Sequence, residues 1–336
     1  MTHETNEHAR TAMGLVVGTT ETATIEGISA AGADREAMRH TPAADSELIA
    51  YGDVLEAPGV PISPSGCPTP ALVTRAVREL VGFGLVTIDA GLGVETAAPT
   101  VTLGEKVGRD IRKPIAVPNV ASLWERGRRY GRRLPADRLI LAESIPGGTT
   151  TALGVSEALG VDLAVSSSLP ENPLDRKRAV VTAALTTSGY ASGELAGQPR
   201  EALASVGDPV LAVLAGTAAG TLESETDLLL AGGTQQLAVV ALLRAAGIDR
   251  RISVATTSFV AEDPSANVRT AAERLDVELI VTDPRFDRES GTVFERYRTG
   301  EAKEGAGMGG ALATAARESV AMERVRERIS THYEHR

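Results

Sequence analysis

Two segments of the sequence place a glycine-rich turn where a buried strand meets a helix. In the first, residues 138–160, an apolar run at 139–142 suits a strand and the Ala/Leu-rich stretch that ends at Gly160 suits a helix. Glu143 and a Gly-Gly-Thr-Thr turn lie between them. Such a turn can bind an anion, because glycines let the backbone approach closely and a helix N-terminus offers unpaired N–H groups. An ordinary strand-to-helix turn explains Gly147 and Gly148 equally well.

A second Gly-Gly-Thr turn follows the apolar run at 228–231, where Gly232 and Gly233 precede Thr234 and another helical stretch. Repeated strand-turn-helix geometry alone could produce both turns. In a parallel sheet, however, ligands bind beyond the carboxyl ends of the strands. Two such turns at one edge of the same sheet would therefore form two sides of a single anion site.

The C-terminal segment combines acids with glycines. Glu301 and Glu304 lie beside a G-x-G-x-x-G pattern at Gly305, Gly307 and Gly310. A dinucleotide-binding fingerprint should follow a strand, whereas residues 298–304 are charged and polar. The pattern therefore does not predict NAD binding.

Cysteine and histidine are too sparse for most metal or nucleophile chemistry. Cys67 is the single cysteine, and four of the five histidines lie near the chain ends, which leaves His40. A disulfide, a cysteine-based zinc site and a histidine-based triad are not supported, so we expect no metal and no bound organic cofactor. Lysine is also rare, and the four lysines are Lys106, Lys113, Lys177 and Lys303.

The charge balance argues against a nucleic-acid partner. The 336 residues carry 44 acids against 34 lysines and arginines, for a net charge of -10, and such a surface repels phosphate backbones unless a local basic patch is present. The densest basic stretch, RGRRYGRR at 126–133, is most simply the solvated face of a helix. No apolar run reaches the length of a membrane span and the first residues do not look like a signal peptide, so we expect no membrane partner and a cytoplasmic location.

Short apolar runs alternate with helical patterns along most of the chain. We predict strands at 85–89, 115–118, 139–142, 163–166, 210–214, 228–231, 252–255 and 279–281, and a short strand is possible at 48–51. We predict helices at 71–81, 122–134, 150–159, 175–188, 234–246 and 266–275. Continuous apolar strands alternating with helices are typical of an α/β fold, in which helices cover both faces of a parallel sheet.

Five segments together resemble one known family. They are GTTETATIEGISAAGAD near the start, AESIPGGTTTALGV, RKRAVV at 176–181, LAGGTQQLAVVALL and GEAKEGAGMGGALA. In order and spacing they resemble the nicotinate-nucleotide:dimethylbenzimidazole phosphoribosyltransferase family, specifically its archaeal branch, from about residue 13 to residue 316.

This resemblance implies a Rossmann-like large domain at 83–295, a small domain together with active-site segments at 13–82 and 296–336, and a homodimer. We expect residues 1–12 to be a disordered tail. The implied reaction moves 5-phosphoribose from nicotinate mononucleotide to a benzimidazole- or purine-type base, giving an α-ribazole phosphate for the lower ligand of a cobamide. The alternative is a non-catalytic nucleotide-binding module in cobamide metabolism.

The resemblance also implies roles for individual residues. Glu304 is the general base that takes the proton of the acceptor, with Glu301 as the alternative, and Glu143 is an electrostatic group beside the ribose. The residues expected to bind phosphate and ribose are Gly147, Gly148, Thr149, Thr150, Lys177, Gly232, Gly233 and Thr234. Residues 61–77 occupy the place of the family's base-binding segment without matching it, so the identity of the acceptor base stays open.

Overall fold

The computed structural model describes residues 10–29, 31–32 and 34–334. Residues 1–9 of the expected tail lie outside this part of the chain. Thr11 already begins a strand that pairs with two neighbouring strands. The prediction that the tail reaches residue 12 is therefore wrong, because backbone pairing fixes residues 11 and 12 in the sheet.

Seven strands form one sheet in which every neighbouring pair is parallel. They are β1 (Thr11–Gly18), β2 (Gly84–Gly91), β3 (Thr100–Thr102), β4 (Arg138–Ser144), β5 (Asp227–Ala231), β6 (Ile252–Thr257) and β7 (Val277–Thr282). Their order is β3-β2-β1-β4-β5-β6-β7. The winding direction reverses between β1 and β4, and ligands of α/β sheets bind beyond the strand ends at such a switch point.

Thirteen α-helices lie within the described residues. They are α1 (Arg35–Tyr51), α2 (Ala71–Val81), α3 (Val120–Gly131), α4 (Gly148–Leu159), α5 (Leu174–Ser188), α6 (Pro199–Val206), α7 (Pro209–Thr221), α8 (Thr234–Ala245), α9 (Ser258–Ala261), α10 (Val268–Arg274), α11 (Thr292–Arg298), α12 (Met308–Arg317) and α13 (Met322–Glu334). Two single 3-10 turns occur at Glu21–Thr24 and Phe286–Arg288. No helix in this part of the chain is both long and apolar enough to cross a membrane.

Helices cover both faces of the sheet, as alternate residues of its strands show. Leu139 and Leu141 of β4 face a core cluster that contains residues of α3–α8 and α10, whereas Ile140 and Ala142 face a cluster built with α1, α2 and α11–α13. The predicted α/β, Rossmann-like fold is therefore confirmed.

The two ends of the chain meet on one face, where α2 packs against α12 and α13. The expected boundaries assign residues 13–82 to the small domain together with these helices. That assignment is wrong for β1, because β1 is the central strand of the sheet and pairs with β2 and β4. The buried apolar residues of β1 therefore lie in the middle of the sheet of the large domain.

The clearest error of secondary structure is the strand predicted at 210–214, which lies inside α7. Asp208 caps this helix by accepting a hydrogen bond from the Leu211 N–H (2.8 Å), and Pro209 occupies its first turn. Every residue of α7 is buried. A helix buried all round lacks the apolar-polar periodicity that separates a helix from a strand.

Three other predicted strands are also wrong. Residues 48–51 end α1, and residues 115–118 and 163–166 belong to connections outside the seven strands. The remaining five predicted strands and all six predicted helices are confirmed, with α2 matching its predicted bounds.

Candidate active site

A cleft opens beyond the carboxyl ends of β4 and β5. Its walls are residues 61–63, 67–70, 143–146, 166–168, 233–235 and 302–306, together with Ala31, Thr41, Asp45 and Thr149. Four of the five segments that carry the family resemblance contribute residues to this cleft, the early loop through Ala31 alone. The exception is segment 176–181, which reaches the lining only through the hydrogen bond from Lys177 to the Ser166 carbonyl.

Two glutamates, Glu143 and Glu304, lie in this cleft. Glu143 is the second-last residue of β4 and is 3% exposed, and its carboxylate accepts a hydrogen bond from the Gln236 amide. Burial raises the pKa of Glu143 well above its ordinary value, and the nearby charge of Glu304 raises it further. The ionised form of Glu304 therefore disfavours ionisation of Glu143.

Glu304 is partly exposed to the cleft and held by backbone donors. Its Oε1 accepts hydrogen bonds from the N–H groups of Gly309 (2.9 Å) and Gly305 (3.1 Å). Desolvation raises its pKa to about 7, against the opposing effect of these hydrogen bonds. A carboxylate with this pKa can accept a proton near neutral pH.

The loop that carries Glu304 is fixed at several points. The Ala306 N–H donates to the Glu143 carbonyl (3.0 Å), which joins the loop to the end of β4. The Thr74 hydroxyl donates to the Ala306 carbonyl (2.8 Å), and the Thr257 hydroxyl donates to the Lys303 carbonyl (2.7 Å). The carboxylates thus belong to elements that are hydrogen-bonded to each other.

Glu301, the alternative base, points elsewhere. It is 4% exposed, does not line the cleft, and accepts hydrogen bonds from the hydroxyls of Ser63 (2.6 Å) and Ser65. The structure therefore brings Glu304, and not Glu301, beside Glu143.

The two Gly-Gly-Thr turns both lie at this edge of the sheet, but only parts of them reach the cleft. Thr149 of the first turn and Gly233 and Thr234 of the second line it. The Thr234 hydroxyl accepts a hydrogen bond from the Ser166 N–H (3.2 Å). Thr150 is fully buried away from the cleft, and its hydroxyl has no hydrogen-bond partner among the described residues.

The other glycines of the turns serve close packing. A Cβ on Gly147 would lie 2.9 Å from the Ala23 Cα, and a Cβ on Gly148 would lie 2.7 Å from the Ile145 Cγ2. A Cβ on Gly232 would lie 3.0 Å from both carboxylate oxygens of Glu143. Gly232 thus allows the second turn to approach Glu143.

Lys177 is fully buried and does not line the cleft. Its Nζ donates to the Ser166 carbonyl (2.9 Å) and to the Asn172 Oδ1 (3.4 Å). Desolvation, followed by the charge of Lys303, lowers its pKa to about 7. In this structure Lys177 holds the serine segment 166–168 rather than presenting its ammonium to the cleft.

Sequence reasoning missed two charged residues of the cleft. Lys303 lines it, and its Nζ forms an ion pair with the Asp263 Oδ2 (2.6 Å). Asp45 of α1 lines it too, with a carboxylate that is 3% exposed. The scarcity of lysine, together with the position of Lys303 one residue before Glu304, was a usable signal. Asp45 had none, because no helix was predicted at 35–51.

The site combines a pair of desolvated carboxylates, a paired lysine and the N-terminal turn of α8. The free N–H groups and positive dipole end of α8 favour a phosphate, with the hydroxyls of Ser167, Ser168 and Thr149 as further donors. The carboxylates favour a cationic or proton-releasing group beside it. Among residues 10–29, 31–32 and 34–334, no group of three or more His, Cys, Asp or Glu side chains is placed to hold a metal ion.

Comparison with known proteins identifies relatives over almost the whole chain. A UPF0284 protein of Halobacterium salinarum is 53% identical over 325 residues, covering 96% of this chain and 98% of the relative. UPF0284 proteins of Methanosarcina mazei and Methanothermobacter thermautotrophicus are 42% identical over 302 residues (88% and 86% covered) and 41% identical over 324 residues (93% and 89% covered). No protein-family model matches the chain.

Two solved structures from Thermus thermophilus share the fold. They are a nicotinate-nucleotide-dimethylbenzimidazole phosphoribosyltransferase, with a TM-score of 0.62, and a structure described as CobT, with a TM-score of 0.63. Each is 18% identical to this chain; the alignments cover 97% of this chain and 83% and 84% of theirs. The likeness establishes that the chain has the fold of these enzymes.

Proposed function

The chain belongs to the UPF0284 family, and we propose that it is a phosphoribosyltransferase of cobamide assembly. The observation that carries the proposal is the placement of Glu143 and Glu304 together in a cleft at the carboxyl edge of the sheet. The fold shared with the Thermus thermophilus enzymes supports the same conclusion.

In the proposed reaction, the nitrogen of a heteroaromatic base attacks C1 of the ribose of nicotinate mononucleotide. The bond from C1 to the pyridine nitrogen breaks, and nicotinate leaves with the electron pair. The transition state has oxocarbenium character, so a carboxylate beside the sugar stabilises it. Glu143 takes this role, since the positive charge on the sugar favours the ionised form of a carboxyl group whose pKa is raised.

Glu304 takes the N–H proton of the imidazole ring of the base, whose other nitrogen attacks with its free electron pair. The Glu304 pKa of about 7 leaves a large ionised fraction at neutral pH and still makes this carboxylate basic enough to accept a proton. The phosphate is held by the N-terminal turn of α8 at Gly233 and Thr234, by segment 166–168 and by Lys303. Lys177 acts through Ser166, whose carbonyl it holds.

Replacing the base tests the proposal. We expect Glu304→Gln to lower the rate of nicotinate release, in the presence of an acceptor base, by about 10²–10⁴-fold, and to keep binding of nicotinate mononucleotide. Chromatography of released nicotinate measures the rate, and calorimetry measures binding.

Glu301→Gln is the matched control, because Glu301 carries the same side chain three positions away and faces Ser63 instead of the cleft. We expect it to keep the rate within a few-fold. Full activity of Glu304→Gln would refute the assignment of Glu304 as the general base. If the unsubstituted chain binds nicotinate mononucleotide but releases no nicotinate with any acceptor, a non-catalytic nucleotide-binding module is favoured.

A further inference from the structure

One wall of the cleft differs chemically from the rest. This wall, here called the α1 wall, consists of Thr41 and Asp45 of α1, Ser144, and residues 61–63 and 67–70. It lies across the end of β4 from Gln236, because consecutive strand residues point to opposite faces. Glu143 bonds to Gln236 of α8 on one face, and Ser144 bonds to Asp45 of α1 on the other.

Asp45 is the charged group of the α1 wall. Its Oδ1 accepts a hydrogen bond from the Thr69 hydroxyl (2.7 Å), and its Oδ2 accepts one from the Ser144 hydroxyl (2.6 Å). An ionised carboxylate has about four acceptor sites, so each oxygen keeps the capacity to accept from a ligand. Burial raises the pKa of Asp45 to about 6, which leaves it mostly ionised above neutral pH.

The hydroxyl protons of this wall are already committed to the protein. Besides Thr69 and Ser144, the Thr41 hydroxyl donates to the Ala31 carbonyl (2.5 Å), and the Ser63 hydroxyl donates to Glu301 (2.6 Å). Each of these oxygens can therefore offer a ligand only lone pairs. The prolines of the wall have no N–H to donate either; they are Pro61, Pro68 and Pro70.

A wall of acceptors without free side-chain donors selects a ligand that supplies N–H groups. Dimethylbenzimidazole has one N–H, on the ring that reacts, and presents methyl groups on its other ring. An amino-substituted purine presents an amine on the ring remote from the reacting imidazole nitrogen. A site built to hydrogen-bond a ligand N–H rejects an analogue that lacks it, because the polar groups of the site then lose their partners.

We infer that the α1 wall selects an acceptor base with an amine on its six-membered ring, an aminopurine such as adenine, and that Asp45 accepts the hydrogen bond from that amine. The inference rests on the proposed function for its reaction. Glu304 takes the N–H proton of the imidazole ring, whose other nitrogen attacks, while Asp45 fixes the remote edge of the base. The prolines and Ile62 provide apolar contacts for the planar ring.

Two bases that differ by one amine test this directly. We expect the full chain, in equilibrium dialysis at pH 7.5, to bind adenine at least 10-fold more tightly than unsubstituted purine. Asp45→Asn keeps the shape of the side chain and one oxygen acceptor but replaces the other with an N–H₂ donor. We expect this variant to bind the two bases within 3-fold of each other.

Asp208→Asn is the matched control. Asp208 is a second buried aspartate that accepts a hydroxyl hydrogen bond, from Thr151, and it does not line the cleft. We expect this variant to keep the 10-fold preference. Equal binding of adenine and purine by the unsubstituted chain would overturn the inference without reference to any variant, as would an Asp45→Asn protein that keeps the preference.

Nicotinate release separates the inference from the proposed function. Faster transfer to adenine than to dimethylbenzimidazole supports both. Transfer to dimethylbenzimidazole at an equal or higher rate overturns the inference and supports the proposed function. A preference for adenine in binding, with no nicotinate release for any base, supports the inference about the wall and overturns the proposed reaction.

Discussion

The two Gly-Gly-Thr turns have the same residue order but different backbones and neighbours. In the first, Gly147 caps α4 with a left-handed φ of +79° and packs against Ala23 of the early loop. In the second, Gly233 caps α8 with a φ of -98°, and Gly232 lies against Glu143. The first turn therefore fixes the early loop to the sheet, whereas the second forms the wall of the carboxylate pair.

The threonines differ in the same way. Thr234 opens α8, lines the cleft and accepts the Ser166 N–H. Thr150 lies in the first turn of α4, fully buried. The first turn thus reaches the cleft only through Thr149, whereas Gly233 and Thr234 of the second turn both line it, and this difference can be tested turn by turn.

The largest expected effect is the difference in activity between Gly232→Ala and Gly147→Ala. In Gly232→Ala, the new Cβ would meet Glu143 at 3.0 Å and Gln236 Cγ at 2.9 Å. Displacing the carboxylate should lower the rate of nicotinate release by about 10²-fold or more. In Gly147→Ala, the left-handed backbone costs about 1–2 kcal/mol of stability, with a further cost from the contact with Ala23, and the rate should stay within about 10-fold.

Urea unfolding and the rate of nicotinate release measure the two costs separately. The comparison of the turns fails if Gly147→Ala, once folded, loses as much activity as Gly232→Ala.

The next effect is the pH dependence, since each turn borders a different buried carboxylate. Gly233 of the second turn lies beside Glu304, and Thr151 of α4 donates to Asp208. Burial raises their pKa values from 4.5 to about 7 and from 3.8 to about 6. Between those values the folded protein binds more protons than the unfolded chain, so each group lowers the free energy of unfolding as the pH rises.

The free energies of unfolding of Glu304→Gln and of Asp208→Asn, measured relative to the unsubstituted chain, should therefore each rise by roughly 3 kcal/mol between pH 4 and pH 8. The gain of Glu304→Gln should develop up to about pH 7 and that of Asp208→Asn up to about pH 6. The transfer rate should rise with pH through about 7 in the unsubstituted chain and in Asp208→Asn. Urea unfolding at a series of pH values checks the gains, and a constant difference in stability across the range would contradict them.

The sequence carried enough information for five of the seven strands, β2 and β4–β7, because short apolar runs alternate with amphipathic helices from residue 85 onward. Neither β1 nor the short β3 was among the predicted strands. The sequence could not reveal α7, since a helix of Val, Leu, Ala and Gly that is buried on every side has no polar face to mark its period. For the candidate site, Glu143, Glu304 and the two Gly-Gly-Thr turns could be predicted from the order of the segments that resemble the known family.

The ligand-facing chemistry was harder to predict, because it depends on contacts between residues distant in sequence. Whether Lys177 or Lys303 faces the cleft depends on the packing of α5 under segment 166–168. Asp45 reaches the cleft only because α1 packs beside the end of β4, 99 residues away in the chain. Neither arrangement leaves a local sequence pattern.

The smallest effect compares the threonines. Thr150→Val removes a buried hydroxyl that has no partner among the described residues and keeps the shape of the side chain, so it should be neutral or stabilise the protein by up to about 1 kcal/mol. Thr234→Val removes the acceptor of the Ser166 N–H, 3.2 Å away, and should cost about 0.5–1.5 kcal/mol. Because Ser166 begins the serine segment of the cleft, Thr234→Val should also weaken binding of nicotinate mononucleotide, which Thr150→Val should leave unchanged. Urea unfolding and calorimetry measure both effects, and the assignment of the first turn to packing is wrong if Thr150→Val weakens nucleotide binding as much as Thr234→Val does.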